Sequence, residues 1–190
     1  MRKSDYEINP IIINRWSARA MSGETITEED LMSLFEAARW APSGMNNQLW
    51  RFIYAKRETQ YWDKFFDLLM EGNKIWCKNA AVLILLVSRK FSYYQNKPHK
   101  AHSLEAGAVM QNLLLEAVDK GFVAHPMGGF EKDKAKEVFN IDDNWNIECM
   151  IAIGKKGDIK NLSLELQERE IPSDRKKINE IISEGEFNFE

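Results

Sequence analysis

The chain has 190 residues, a formal net charge of -3 at pH 7 and 44% hydrophobic residues. The near-neutral charge gives no argument for nucleic acid or an anionic membrane as a partner, and the hydrophobic fraction is enough to build a packed core. Cys77 and Cys149 lie far apart, which argues against a disulfide scaffold or a zinc finger. No apolar run approaches the roughly 20 residues of a membrane span, and no signal peptide is predicted. The sequence therefore predicts a single cytoplasmic domain over residues 1–190.

The predicted elements begin with helices and continue with strands. Asn9 caps a first helix that starts at Pro10, and Thr27 caps a second helix with one apolar stripe, formed by Leu31, Leu34, Phe35 and Ala38. Aromatic and β-branched residues predict a strand at 50–55, and a helix is predicted at 61–70. A continuously apolar run at 80–87 is typical of a strand covered on both faces.

The longest helix is predicted at 103–120, followed by a strand at 122–127, a short helix at 131–139 and a strand at 149–153. This order of elements predicts an α+β fold. Between Ala106 and Val118 the long helix has polar residues only at Gln111, Asn112 and Glu116. A helix that is apolar on nearly every side is buried, and in a chain of this size such burial requires a second subunit. The polar tail is expected to form an arm over about residues 158–190.

Arg15, Ser17 and Arg19 occupy alternate positions just after the first helix. In an extended segment alternate residues point the same way, so these three would present one cationic face. Guanidinium groups match the geometry of phosphate, which makes this face a candidate phosphate contact. An ordinary solvated basic turn is the alternative, because surface arginines are common.

The segment from Ala41 to Trp50 joins the second helix to the first strand and is unusually polar. Pro42 ends the helix, and Gly44 permits a turn or a close approach to a ligand. Neutral hydroxyl and amide groups follow within six residues, more than a helix-to-strand connection needs: Ser43, Asn46, Asn47 and Gln48. They would suit a planar ligand with imide-like edges, although Ser and Asn are also ordinary turn residues.

Two further segments combine glycine with neighbouring polar groups. Glu71-Gly72-Asn73 precedes the buried strand, and a helix C-cap would explain it equally well. Gly128 and Gly129 follow a strand and leave backbone amides able to donate to a ligand, although a tight turn has the same composition. Neither segment is a Rossmann fingerprint or a P-loop. The i,i+3 pair His99 and His102 lacks further ligands in register, so no metal site is predicted.

In this order the motifs resemble the FMN-dependent nitroreductase family. The resemblance runs from about Ile11 to Gly157, with a weaker match at 172–175, and rests on Arg15-x-Ser17-x-Arg19, Ala41-Pro42-Ser43-x-x-Asn46-x-Gln48-x-Trp50, Glu71-Gly72-Asn73, 105–114 and 125–130. It implies a nitroreductase-like α+β fold, with a central mixed, mostly antiparallel sheet flanked by helices. It also implies an intertwined homodimer with FMN at the subunit interface.

The resemblance further implies the cofactor contacts, which are Arg15, Trp16, Ser17, Arg19, Pro42, Ser43, Gly44, Asn46, Gln48, Asn73, Met127, Gly128, Gly129 and Arg175. Arg15, Ser17 and Arg175 would hold the phosphate. Arg19 and Asn73 would lie near the pyrimidine edge of the flavin. The contacts from the other subunit would be Pro42, Ser43, Gly44 and Asn46. The implied reaction passes electrons from NAD(P)H through FMN to nitroaromatic, quinone or related small acceptors in a ping-pong cycle, without a catalytic side chain or a metal.

Two positions depart from the family pattern. Gly128 stands where the family often has Glu, and Ser173 stands where it often has Lys. These departures leave the acceptor preference open, as does the short segment 89–101, which would form a variable wall of the pocket. The alternatives are a flavoprotein of the same family with other chemistry, such as dehalogenation or flavin modification, and a non-catalytic FMN-binding protein.

Overall fold

A four-stranded antiparallel sheet organises the protein in the computed structural model, which describes residues 2–189. The strands are β1 (Trp50–Lys56), β2 (Val82–Arg89), β3 (Phe122–Met127) and β4 (Trp145–Lys155). They lie in the order β1-β2-β4-β3, so β4 separates two strands that precede it in the chain. Each of the three pairings is antiparallel. Helices flank this sheet, which confirms the predicted α+β class.

Seven α-helices occur within residues 2–189: α1 (Pro10–Asn14), α2 (Glu28–Arg39), α3 (Trp62–Phe66), α4 (Glu71–Cys77), α5 (His102–Asp119), α6 (Lys132–Phe139) and α7 (Leu164–Glu168). Short 3₁₀ turns lie at Gly44–Asn46, Ile159–Asn161 and Ile178–Glu180. Both predicted caps are confirmed. The Asn9 side chain accepts a hydrogen bond from Ile11 N at 2.9 Å, and Thr27 Oγ1 accepts one from Asp30 N at 3.0 Å. No helix in this range combines the length and apolarity needed to cross a membrane.

Strand β2 is the centre of the core, because its side chains are buried on both faces. Successive strand residues point to opposite faces. Val82, Ile84 and Leu86 therefore pack with α2 and α5, whereas Leu83, Leu85 and Val87 pack with residues of α3, α4 and α6. The continuously apolar run thus reads correctly as a strand covered on both sides.

The helix predicted at 61–70 is wrong in its extent. Helix α3 ends at Phe66, and Leu69 forms an isolated bridge with Phe130. Met70 N donates to Gly129 O at 3.1 Å, which holds this backbone extended against the loop after β3. A new helix, α4, then begins at Glu71, so Gly72 lies in a first turn and does not end a helix.

Helix α5 confirms the long helix, and Gly121 follows it with a φ of 75°. One face, which includes Val109 and Leu113, is fully buried against α2 and the sheet. The helix is not buried on every side within one chain, because Leu104 remains 78% exposed and Met110 is only partly covered. Burial by a second subunit therefore stays a prediction.

Candidate functional site

The Arg15 to Arg19 segment forms one wall of a cavity of about 290 Å³, called the arginine cavity below. Five of the predicted contacts line it together: Arg15, Trp16, Ser17, Arg19 and Arg175. The structure adds lining residues that the sequence motif does not contain: Arg2, Arg169, Ile171 and Ser173. Five guanidinium groups therefore surround one small space.

The extended backbone after α1 produces this arrangement. Ala18 and Ala20 point into the core and are buried. Side chains alternate along an extended segment, so Ser17 and Arg19 point the other way, towards the cavity. The predicted alternation is confirmed. The Arg19 side chain is only 21% exposed, which is unlike an ordinary solvated basic turn.

Arg2, Arg15 and Arg175 form a cluster of like charges. Burial, together with the charges of Arg175 and Arg2, lowers the pKa of Arg15. Burial and the charge of Arg175 lower the pKa of Arg2, while Asp174 acts weakly in the opposite direction. Among the salt bridges of residues 2–189, none involves these three arginines. A bound anion would relieve this repulsion, since guanidinium groups bind phosphate and carboxylate well.

Glu170, from the segment after α7, holds the backbone of the arginine segment. Its Oε1 accepts hydrogen bonds from Arg19 N at 2.6 Å and Ala20 N at 2.8 Å. Its Oε2 lies 3.7 Å from Arg19 Nη1, and the Glu170 side chain is only 4% exposed. The carboxylate therefore offsets part of the Arg19 charge. Sequence reasoning missed Glu170, because no local pattern connects residues 151 positions apart.

His125 connects the same segment to the sheet. Its Nδ1 lies 2.9 Å from Ala18 O, and its ring lies 4.5 Å from the ring of Trp76. Burial is the main influence on its pKa and lowers it. The neutral ring then donates its Nδ1 hydrogen to the Ala18 carbonyl. His125 is buried, does not line the arginine cavity and positions the backbone beside Arg19.

The glycine pair after β3 meets α4. Gly129 O accepts hydrogen bonds from Asn73 Nδ2 at 2.9 Å and from Met70 N at 3.1 Å. A Cβ at Gly129 would lie 2.7 Å from Asn73 Nδ2, whereas a Cβ at Gly128 would meet nothing within 4 Å. Asn73 and Gly129 are thus brought together, and Gly128 faces open space. The Met127 side chain lies in the core beside Cys77, so only its backbone reaches this loop.

The polar loop at 41–50 has a strained backbone. Met45, Asn46 and Gln48 have φ values of 53°, 53° and 50°, in the left-handed region that non-glycine residues seldom adopt. Glu105 Oε1 holds the loop by accepting from Gly44 N at 2.8 Å and pairing with His99 Nε2 at 2.7 Å. Such strain persists only where surrounding contacts enforce it, and it is often found at ligand sites.

Some side chains of this loop stabilise its fold, whereas others are exposed. Asn47 and Ser43 serve the fold, because Asn47 Nδ2 donates to Gly44 O at 2.7 Å and Ser43 Oγ accepts from Gln48 N at 3.0 Å. Pro42 and Asn46 are exposed, and the Asn46 side chain makes no hydrogen bond within residues 2–189. None of the predicted loop contacts (Pro42, Ser43, Gly44, Asn46 and Gln48) lines the arginine cavity. Within one chain, the two halves of the predicted site remain apart.

The two histidines of the i,i+3 pair bind different partners. His99 pairs with Glu105, whereas His102 Nδ1 lies 2.7 Å from Ser88 Oγ and 3.6 Å from a carboxylate oxygen of Glu148. Across residues 2–189, no cluster of three or more His, Cys, Asp or Glu side chains is arranged to hold a metal ion. Ser88 is fully buried and donates to Glu148, so it is not an exposed nucleophile.

Comparison with known proteins identifies relatives along most of the chain. A model described as the nitroreductase family matches residues 12–75 and 68–155. The protein DrgA of Synechocystis is 30% identical over 157 residues, covering 69% of this chain and 75% of DrgA. A Bacillus subtilis relative named "Putative NAD(P)H nitroreductase MhqN" is 27% identical over 202 residues, covering 88% of this chain and 93% of MhqN.

Solved structures with the same fold also include proteins that contain FMN. A crystal structure described as an oxidoreductase containing FMN has a TM-score of 0.95 and 41% identity, and the alignment covers 100% of this chain and 97% of that one. A Desulfovibrio desulfuricans protein solved in complex with FMN has a TM-score of 0.72 and 26% identity, with coverage of 96% and 100%. The fold thus agrees with that of these two solved structures over nearly the whole chain.

Proposed function

The chain belongs to the nitroreductase family, and from this premise we propose that it is an FMN-dependent oxidoreductase that transfers electrons from NAD(P)H to nitroaromatic, quinone or related small acceptors. The observation that carries this proposal is the arginine cavity, where Arg15, Ser17 and Arg175 converge. The relatives that contain FMN, and the naming of MhqN as an NAD(P)H nitroreductase, support it.

The donor groups present fit the phosphate of FMN. Burial and neighbouring arginines lower the pKa of Arg2 and of Arg15, and neither of these groups nor Arg175 forms a salt bridge within residues 2–189, so a phosphate would supply the missing negative charge. A larger cavity of about 630 Å³ adjoins the arginine cavity and shares Arg2, Arg15, Ser17 and Arg175 with it. Its wall includes Met110, Leu114 and Pro126. A cationic end beside a larger, partly apolar space suits a phosphate-bearing aromatic ligand.

In the proposed complex, Arg15, Ser17 and Arg175 hold the phosphate, Trp16 lines its pocket, and Arg19 and Asn73 contact the pyrimidine edge of the ring. Bound FMN would supply hydride and electron transfer chemistry between NAD(P)H and the acceptor. The Arg19 guanidinium favours negative charge nearby, and Glu170 limits this effect because it lies 3.7 Å away. Gly128 has no side chain, which leaves space for NAD(P)H and the acceptor to bind in turn, as a ping-pong cycle requires.

The remaining contacts are proposed to come from a second subunit. Pro42, Ser43, Gly44, Asn46 and Gln48 do not line the arginine cavity of their own chain. We propose that this loop faces the FMN whose phosphate the partner holds, so that the site is complete only in a homodimer. Exposed apolar residues on and near α5, such as Leu104, support an interface there. We also propose that residues 1–190 form one cytoplasmic domain, with 158–190 as an arm.

Steady-state kinetics test this function. The FMN-loaded protein is supplied with NADH or NADPH and a panel of quinones and nitroaromatic compounds, and oxidation of the nicotinamide is followed. A ping-pong cycle predicts parallel lines in double-reciprocal plots at several acceptor concentrations. Turnover with intersecting lines would contradict the shared binding space. Tight FMN binding without turnover on any acceptor would instead indicate other flavin chemistry or a binding protein.

A further inference from the structure

Arg2 lies across the end of α1 and next to the arginine cavity. Its Nη1 donates to Ile13 O at 3.1 Å and to Arg15 O at 2.8 Å, two carbonyls at the C-terminal end of this short helix. Helix ends leave carbonyl groups that need such donors. These bonds fix the guanidinium in position beside the Arg15 backbone. Arg2 therefore has a defined orientation although it belongs to a segment without regular structure.

One nitrogen of the Arg2 guanidinium group lacks a partner within residues 2–189. Its Nε is buried and has no hydrogen-bond partner within residues 2–189. A buried donor without a partner costs free energy, and the cost is greater for a charged group. Arg2 lines both the arginine cavity and the larger cavity beside it, together with Arg15, Ser17 and Arg175. The unsatisfied charge thus lies where a phosphate is proposed to bind.

A second contact brings both terminal segments to this cavity. The Asp5 carboxylate accepts hydrogen bonds from Lys177 Nζ at 3.3 Å and from Ile178 N at 3.2 Å. These hydrogen bonds join segment 2–8, which contains Arg2, to segment 173–181, which contains Arg175. Both segments are largely exposed, so the helix and sheet core does not hold them in place. The repulsion between Arg2 and Arg175 opposes this contact until an anion is bound.

We propose that Arg2 is a third arginine that binds the FMN phosphate, and that this phosphate holds segment 2–8 and segment 173–181 together. The inference rests on the proposed function, because it takes FMN as the ligand. A phosphate monoester carries about -1.5 to -2 charges at neutral pH, so it can accept from three guanidinium groups. Arg15 and Arg175 supply two of them. Arg2 supplies the third from a position that no motif indicates.

Comparing FMN with riboflavin isolates the phosphate contact. The purified apoprotein and its Arg2→Ala variant are titrated with each flavin, and quenching of flavin fluorescence gives the dissociation constants. Loss of one charge-assisted hydrogen bond predicts about 10- to 100-fold weaker FMN binding for Arg2→Ala. Riboflavin has no phosphate, so its binding is expected to change less than about threefold. Arg2→Lys is expected to recover part of the FMN affinity.

The control is Lys134→Ala, which removes one positive charge from the exposed face of α6. Lys134 lines neither the arginine cavity nor the larger cavity beside it. This variant is expected to bind FMN within about threefold of the wild-type protein. Equal weakening by Arg2→Ala and Lys134→Ala would overturn the proposal in favour of a general charge effect. Equal losses for FMN and riboflavin in Arg2→Ala would overturn it in favour of a purely structural role.

Hydrogen exchange gives an independent measurement of the segments. FMN is expected to slow amide exchange in segments 2–8 and 173–181 of the wild-type protein, and to slow it much less in Arg2→Ala. Protection of both segments that is unchanged in the variant would refute the proposed coupling. Failure of the wild-type protein to bind FMN would instead refute the proposed function itself, so the two failures are distinguishable.

Discussion

Replacing Gly129 with alanine is expected to break the contact between α4 and the loop after β3. The new Cβ would lie 2.7 Å from Asn73 Nδ2, where the amide now donates to Gly129 O at 2.9 Å. If Asn73 rotates away, the loss of this hydrogen bond costs about 1 kcal/mol. If the surroundings resist, overpacking raises the cost to about 3 kcal/mol. We therefore expect the free energy of unfolding to fall by about 1–3 kcal/mol.

Gly128→Ala is the matched control, because its Cβ would meet nothing within 4 Å. The two glycines are adjacent and the chemical change is identical. Gly128→Ala is expected to alter the free energy of unfolding by less than about 0.5 kcal/mol. Urea denaturation of the apoproteins, followed by tryptophan fluorescence, measures both values. Equal effects of the two substitutions, or a neutral Gly129→Ala, would show that the Asn73 contact does not constrain this loop.

Three further predictions follow from the site. Glu105→Ala removes the acceptor that Gly44 N and His99 share, and it should lower the free energy of unfolding by about 2–4 kcal/mol. Glu105→Gln retains an acceptor oxygen and should cost less than about half as much. Urea denaturation measures both variants, and equal costs would contradict the role of the acceptor. Burial lowers the pKa of His125 below 6.5, so on acidification the unfolded chain takes up a proton before the folded protein does. The stability that the neutral ring contributes is therefore full above pH 6.5 and falls as the pH drops below it. His125→Asn should flatten the pH dependence of the free energy of unfolding in that range. Arg15→Ala should weaken the binding of FMN more than that of riboflavin. Arg19→Ala should lower the reduction potential of bound FMN more than Arg15→Ala does. Equal potentials of the two variants in a spectroelectrochemical titration would contradict the placement of Arg19 near the flavin ring.

Elements with a strong local pattern were predicted from the sequence. The Thr27 cap and the apolar stripe specify α2, and a continuous apolar run specifies β2. These signals lie within one helix or strand and need no knowledge of distant residues. The predicted extent of the helix at 61–70 was wrong because it depends on a distant residue. Its end depends on Met70 N donating to Gly129 O, a contact between segments far apart in the chain.

The shared face of the arginine segment was also predicted from a local pattern. Alternation in an extended segment indicated that Arg15, Ser17 and Arg19 share a face, and all three line one cavity. Arg2 and Glu170 were missed, because each reaches the site through a long-range hydrogen bond to backbone atoms. Sequence position carries no signal for such contacts.

The sequence leaves two roles open for Gly44, a turn or a close approach to a ligand. The left-handed residues of the loop are its neighbours Met45 and Asn46. A Cβ at Gly44 would lie 3.1 Å from His99 Cε1 and 3.4 Å from Glu105 Oε1. A side chain at Gly44 would thus crowd the two groups that hold the loop.

The central claim is that this chain binds FMN and that NAD(P)H reduces it. The visible spectrum of the purified protein, incubated with FMN, freed of unbound flavin and then mixed with NADH or NADPH without oxygen, tests this claim most directly. We expect a flavin absorption band that elutes with the protein, disappears on addition of the nicotinamide and returns when a quinone is added. A colourless protein, or a bound flavin that neither nicotinamide bleaches, would contradict the claim.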